Sequence, residues 1–94
     1  MFSNNLTMMT DLYELTMMQG YFFEGNNDTV VFDVFYRQNP CGGAYAIACG
    51  LDQAIDYIKD LHFEQEDIDY LRSTGFFQED FLDYLKSFRF TGDI

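Results

Sequence analysis

Thr29-Val30-Val31-Phe32-Asp33-Val34-Phe35-Tyr36-Arg37 is the stretch on which the fold class turns. β-Branched and aromatic residues dominate it, the composition that suits a pleated, half-buried surface. Successive side chains of a strand point to opposite faces. Val30, Phe32, Val34 and Tyr36 would then share an apolar face, and Val31, Asp33, Phe35 and Arg37 a mixed one. Asp33 and Arg37 point the same way, either as a pair or toward a polar cavity. Residues 38–43 read as a loop holding the one proline, Pro40, and residues 44–48 as a second strand of small side chains ended by Gly50. Strand, glycine-containing loop and strand predict an antiparallel pair.

Outward from the strands, the spacing changes to a helical one. Residues 1–6 read as a loose lead-in. A helix of about 14 residues is expected from Thr10, an N-cap residue type, with Asp11 and Glu14 in a first turn whose dipole favours acids. Leu12, Leu15, Gln19 and Phe22 line one side of it, and Tyr13, Met17, Gly20 and Glu24 another. Gly25 suits the left-handed position after its end. Beyond the strands, Leu51–Leu61, Glu64–Thr74 and Glu79–Phe88 read as three short helices. Phe90-Thr91-Gly92-Asp93-Ile94 begins an extended segment at which the sequence stops, the expectation being a piece of a longer protein. The predicted class is therefore α+β: a long N-terminal helix, antiparallel strands and a cluster of short helices.

Charge narrows the partners. The 94 residues hold sixteen acids and five bases, a net charge of −11. Binding to nucleic-acid phosphates requires Lys and Arg, so a nucleic-acid partner is not expected, nor is an anionic membrane surface. Ten of the acids fall within residues 51–83, against two bases. That block reads as a solvated helical surface, or as a docking face that mimics nucleic acid for a basic partner. No stretch approaches the roughly 20 apolar residues of a membrane span. Cys41 and Cys49 match no zinc spacing and make no disulfide framework. Without a signal sequence, they point to the reducing cytoplasm.

Side chains that could carry chemistry are few. His62, the one histidine, lies between Leu61 and Phe63 and reads as structural. The carboxylates fall mostly on helix surfaces, with no specific support for paired acid–base work. Asn39-Pro40-Cys41-Gly42-Gly43 lacks both the P-loop and the dinucleotide-binding patterns, and Gly42-Gly43 is most simply a turn. Tyr13 stands out: an aromatic one turn into a helix can stack on a planar ligand, although it is one of eighteen aromatic residues. No catalytic residue and no metal-ligand set is assigned.

Read in order, several blocks resemble the N-terminal part of the nicotinate phosphoribosyltransferase family. They are Thr10-Asp11-Leu12-Tyr13-Glu14-Leu15-Thr16-Met17, Val31-Phe32-Asp33-Val34-Phe35-Tyr36-Arg37, Asn39-Pro40, Gly42-Gly43, Tyr45-Ala46-Ile47 with Gly50-Leu51, and Phe88-Arg89-Phe90-Thr91-Gly92-Asp93-Ile94. The likeness spans nearly the whole chain. It departs at Cys41, where an aromatic is usual, and at Ala44, where glycine is common. Both changes bear on loop packing more than on chemistry.

The resemblance implies that residues 1–94 are part of the N-terminal domain of a longer type II phosphoribosyltransferase whose α/β barrel is absent. The implied enzyme joins nicotinate to phosphoribosyl pyrophosphate, giving nicotinate mononucleotide and pyrophosphate on the way to NAD. ATP hydrolysis is coupled through a phosphohistidine in the barrel, and magnesium assists. The active site forms between the barrel and the N-terminal domain of a second subunit. By the same resemblance Tyr13 stacks on the pyridine ring and Asp11 shapes that pocket. Arg37, Asn39, Gly42 and Gly43 stand near the phosphoribosyl group. The chain alone is expected to be inactive, to bind neither ATP nor magnesium, and to pair with itself. The alternative is a small acidic binding protein, for example a nucleic-acid mimic.

Overall fold

A computed structural model describes residues 5–94. Among them lie four α-helices: α1 (Leu12–Glu24), α2 (Leu51–Lys59), α3 (Gln65–Thr74) and α4 (Glu79–Lys86), with a single 3-10 turn at Pro40–Gly42. Residues 1–4 of the expected lead-in lie outside the described residues. Asn5 and Leu6 do not lie loose. The Asn5 Nδ2 donates to the His62 carbonyl at 2.8 Å, and the His62 N–H donates to Thr7 Oγ1 at 3.1 Å. This clasp fastens the segment before α1 to the turn before α3, and Thr7 is buried beneath it.

The helix termini follow their end residues. α1 starts one residue later than expected, with Asp11 rather than Thr10 at the N-cap. Thr10 instead donates its hydroxyl to Glu14. At the other end Gly25 turns left-handed at φ 69°. Its N–H reaches the Phe22 carbonyl and that of Asn26 the Tyr21 carbonyl, which satisfies two otherwise orphaned acceptors. The Asp67 carboxylate accepts the Glu64 N–H at 2.9 Å and fixes the start of α3. Gly75 ends that helix at φ 81°. Helices α2 and α4 stop at Lys59 and Lys86, two residues short of the expected Leu61 and Phe88.

The core is built by α4 lying against α1 and α3. Ile68, Phe81, Leu82 and Leu85 are fully enclosed, Leu71 nearly so, and Leu15 from α1 joins them. Phe63 and Phe77 close the ends from the connecting loops. Rings gather around α4, with centroids of Phe22 and Tyr84 at 4.7 Å, Phe22 and Phe81 at 5.8 Å, and Phe77 and Phe81 at 5.8 Å. Such pairs add about 0.5–1.5 kcal/mol beyond the area they bury. A polar clamp reinforces the same junction. Gln19 on α1 donates to the Phe76 carbonyl at 3.0 Å and accepts from the Gln78 N–H at 2.8 Å.

The expected α+β class is corrected: no strand forms among the described residues. Residues 29–37 and 44–48 run without a backbone partner. Val30 is 66 %, Val31 89 %, Phe32 86 % and Val34 97 % exposed, so neither face is chosen as the inner one. Asp33 and Arg37 form no ion pair. The reason is physical. A strand persists where its N–H and C=O groups meet those of a neighbour, and a lone two-stranded hairpin is marginal in water. The buried core holds none of these residues, and among the described residues there is no sheet edge to pair with them. The molecule is correspondingly extended, with a radius of gyration of 16.0 Å against about 13 Å for a compact domain of a hundred residues. Its accessible surface, 8064 Å², exceeds the roughly 5,600 Å² expected from its mass.

Substitution should separate the two regions. Phe81→Ala is expected to cost about 3–5 kcal/mol, enough to melt the helical part. Ile47→Ala, at an exposed position, should stay within about 0.5 kcal/mol. Thermal melts followed by far-ultraviolet circular dichroism measure both.

Candidate functional site

Tyr13 stands at the start of α1 on the side turned away from the core. Leu15, Met18, Gln19 and Phe22 take the inward side, while Tyr13, Met17, Gly20 and Glu24 are exposed. The Tyr13 ring is 60 % exposed, a large apolar surface held on a rigid helix. Asp11, the N-cap, uses its side chain in no capping hydrogen bond.

The other expected site residues sit on the unpaired arm between α1 and α2. Asn39 has extended backbone, at φ −64° and ψ 136°, and leads into the turn Pro40–Gly42. Gly43 closes this turn by donating to the Pro40 carbonyl at 3.0 Å. A side chain at Gly43 would press against that carbonyl oxygen at 3.3 Å. Cys41 adopts the left-handed conformation at φ 56°, followed by Gly42 at φ 67°. The turn packs on none of the helices. Asp11 and Tyr13 thus lie at the start of α1, and Arg37, Asn39, Gly42 and Gly43 on the arm, without contact between the turn Pro40–Gly42 and α1.

Positive charge is scarce where phosphate would need it. Arg72 on α3 is held by Glu79 at 2.8 Å and Asp69 at 2.9 Å. Lys86 pairs with Asp83 at 3.0 Å, and Arg89 donates to the Phe88 carbonyl. Arg37 and Lys59 form no ion pair among the described residues. No group of three His, Cys, Asp or Glu side chains comes close enough to hold a metal ion among the described residues. Nor is any helix among them long and apolar enough to cross a membrane.

Besides the clasp and the clamp, two features were not read from the sequence. One is an open apolar hollow of about 370 Å³ between α1 and the turn after α2, walled by Leu15, Met18, Tyr57, Ile58, Phe63 and Phe88. None of the expected site residues lines it. The other is the setting of His62. Its Nδ1 lies 2.6 Å from the Asp60 carbonyl oxygen and its Nε2 lies 3.3 Å from Glu64 Oε1. Its pKa is raised above 6.5, foremost by the Asp60 carbonyl. Partial burial offsets this and Glu64 reinforces it. The ring serves the turn between α2 and α3, in agreement with the structural reading of His62. Asn5-x-Thr7 before the helix and Gln19 on its inward side were the signals available for the clasp and the clamp.

Comparison with known proteins covers nearly all of the chain. Residues 8–94 match the family model described as the nicotinate phosphoribosyltransferase (NAPRTase) N-terminal domain. The chain is 41 % identical over 87 residues to nicotinate phosphoribosyltransferase pncB2 of Mycobacterium tuberculosis, covering 93 % of this chain and 19 % of the relative. It is 37 % identical over 81 residues to nicotinate phosphoribosyltransferase 1 of Arabidopsis thaliana, 84 % of this chain and 14 % of the relative. With nicotinate phosphoribosyltransferase of Bacillus subtilis the identity is 34 % over 80 residues, 84 % of this chain and 16 % of the relative. The chain thus spans less than a fifth of the length of these relatives. No solved structure matches it.

The raised pKa of His62 gives a pH dependence. The folded chain favours the protonated ring, so this contribution is fully present below about pH 6.5 and fades as pH rises through the raised midpoint. Nuclear magnetic resonance titration of the His62 ring should place its midpoint above 6.5. Glu64→Gln should move it downward.

Proposed function

The chain belongs to the family of nicotinate phosphoribosyltransferase N-terminal domains, and from that membership we propose that it supplies one wall of the site where nicotinate meets phosphoribosyl pyrophosphate. The observation that carries this reading is the exposed Tyr13 at the head of α1. A pyridine ring is flat and apolar on its faces, and an exposed tyrosine on a rigid helix offers it a stacking surface at little conformational cost. Asp11, two residues earlier, bounds the same surface.

Arg37, Asn39 and the Gly42-Gly43 backbone serve the phosphoribosyl side. Arg37 is suited to this because, among the described residues, it forms no ion pair with a carboxylate. One guanidinium does not balance a pyrophosphate-bearing substrate in a chain of net charge −11. The remaining positive charge, the barrel, the phosphohistidine, ATP and magnesium belong to the rest of the enzyme. A second subunit completes the site. The two groups of site residues, separate here, meet in that larger assembly. Its place is the cytoplasm, and its product feeds NAD synthesis. An acidic mimic is the poorer reading. Asp67, Asp69, Glu79 and Asp83 are engaged in local caps and ion pairs within the helices, and the ordered blocks have a family explanation.

Two measurements test this. In the full enzyme containing this chain, Tyr13→Ala should raise the KM for nicotinate about tenfold, the scale of one lost aromatic stack. The melting temperature should hold, and Tyr13→Phe should restore binding. Unchanged nicotinate affinity would remove Tyr13 from the site. The 94-residue chain alone should form no nicotinate mononucleotide from the two substrates. Turnover by it would show that the site is complete without the barrel.

A further inference from the structure

We propose that Thr7 positions Tyr13 for its ligand, by locking the head of α1 to the turn between α2 and α3. This role rests on the stacking function of Tyr13 proposed above. Thr7 is the one polar residue buried among the described residues, at 4 % exposure. A buried hydroxyl needs partners, and here they form a closed circuit. Thr7 Oγ1 accepts the His62 N–H at 3.1 Å and donates to Asn5 Oδ1 at 2.5 Å. The same Asn5 oxygen accepts the Thr7 N–H at 3.0 Å, and Asn5 Nδ2 returns to the His62 carbonyl at 2.8 Å. Both backbone groups of His62 are thereby held by one tripeptide, Asn5-Leu6-Thr7.

The two ends of α1 are anchored differently. Its second half is fixed twice, by Phe22 against Phe81 and Tyr84 and by the Gln19 hydrogen bonds to the loop before α4. At its first half Leu15 reaches the core, but Thr10, Glu14 and Leu15 also border the open apolar hollow. Sparse packing leaves that end freer to shift than the other. The clasp supplies the missing anchor, and from it to Tyr13 the chain is short and stiff. The Met9 N–H donates to the Leu6 carbonyl and the Thr10 N–H to the Met8 carbonyl, both at 2.9 Å, closing two successive tight turns. Thr10 then donates its hydroxyl to Glu14 within the first turn of the helix. Tyr57 adds a longer contact from α2, its hydroxyl 3.5 Å from the Leu6 carbonyl. A stacking ring acts through its placement, and a shift on the order of 1 Å is felt by the ligand.

Thr7→Val keeps the shape of the side chain and removes its hydroxyl, so the His62 N–H loses its acceptor. In the 94-residue chain, amide exchange should quicken about threefold at Glu14, Leu15 and Thr16 and hold at Tyr21 and Phe22. Thr7→Ser, which keeps the hydroxyl, should restore the parent rates. Asn5→Asp removes the donor to the His62 carbonyl and sets a carboxylate near Asp67, whose Oδ2 lies 3.5 Å from Asn5 Nδ2. It should loosen the same turn, and it serves as the test if Thr7→Val does not fold. In the full enzyme containing this chain, Thr7→Val should raise the KM for nicotinate about threefold and leave kcat unchanged, a smaller effect than that of Tyr13→Ala. Unchanged exchange in both Thr7→Val and Asn5→Asp would overturn the proposal whatever Tyr13 does. So would a loosened turn with an unchanged KM in an enzyme that does respond to Tyr13→Ala, because Thr7 would then serve the fold alone. If neither Tyr13→Ala nor Thr7→Val moves the KM, the stacking role of Tyr13 falls, and the positioning role of Thr7 falls with it.

Discussion

Order in this chain depends on the burial of one aromatic ring, that of Phe81. It is fully enclosed where α1, α4 and the loop before α4 meet. Phe22 reaches it from α1, Phe77 from the loop and Tyr84 from the next turn of α4. Burying a side chain of this size contributes on the order of 1.5–3 kcal/mol, a large share of the stability of any small domain. Helices this short are marginal alone and persist because they bury an apolar side. The Gln19 clamp and the Arg72–Glu79 ion pair then fix how α1, α3 and α4 lie together. Both partners of that ion pair are exposed, so it contributes geometry more than energy.

The helices were legible because helix formation is largely local. Gly25 and Gly75 end α1 and α3 as their sequence positions indicate. The buried Phe81, Leu82 and Leu85 recur at the expected spacing on α4. Family membership was legible too, from blocks whose order and separation are hard to match by chance. The strands were misread because a strand is not a local object. Residues 29–37 have a strand's composition, but composition cannot supply the neighbour whose backbone would pair with it. The clasp of Asn5 and Thr7 on His62 was missed for the related reason that its partners lie more than fifty residues apart.

The same division explains the candidate site. Tyr13 and Asp11 ride on a helix that the core holds in place, so their geometry is set by this chain. Arg37, Asn39, Gly42 and Gly43 ride on an arm whose shape depends on what it pairs with. A site assembled from these two groups needs a larger body to bring them together. Relatives of which this chain spans less than a fifth have room for one.

Among the described residues, a helical core carries an arm with no backbone partner. Amide hydrogen exchange, residue by residue, on the chain at high dilution tests it most directly. Strong protection is expected in the interior of α1, α3 and α4, and exchange near the unfolded rate across residues 30–36 and 44–48. Protection at Phe32 and Val34 matching that of Leu82 and Leu85 would contradict it, since it would mean that the arm has found a sheet partner within its own chain.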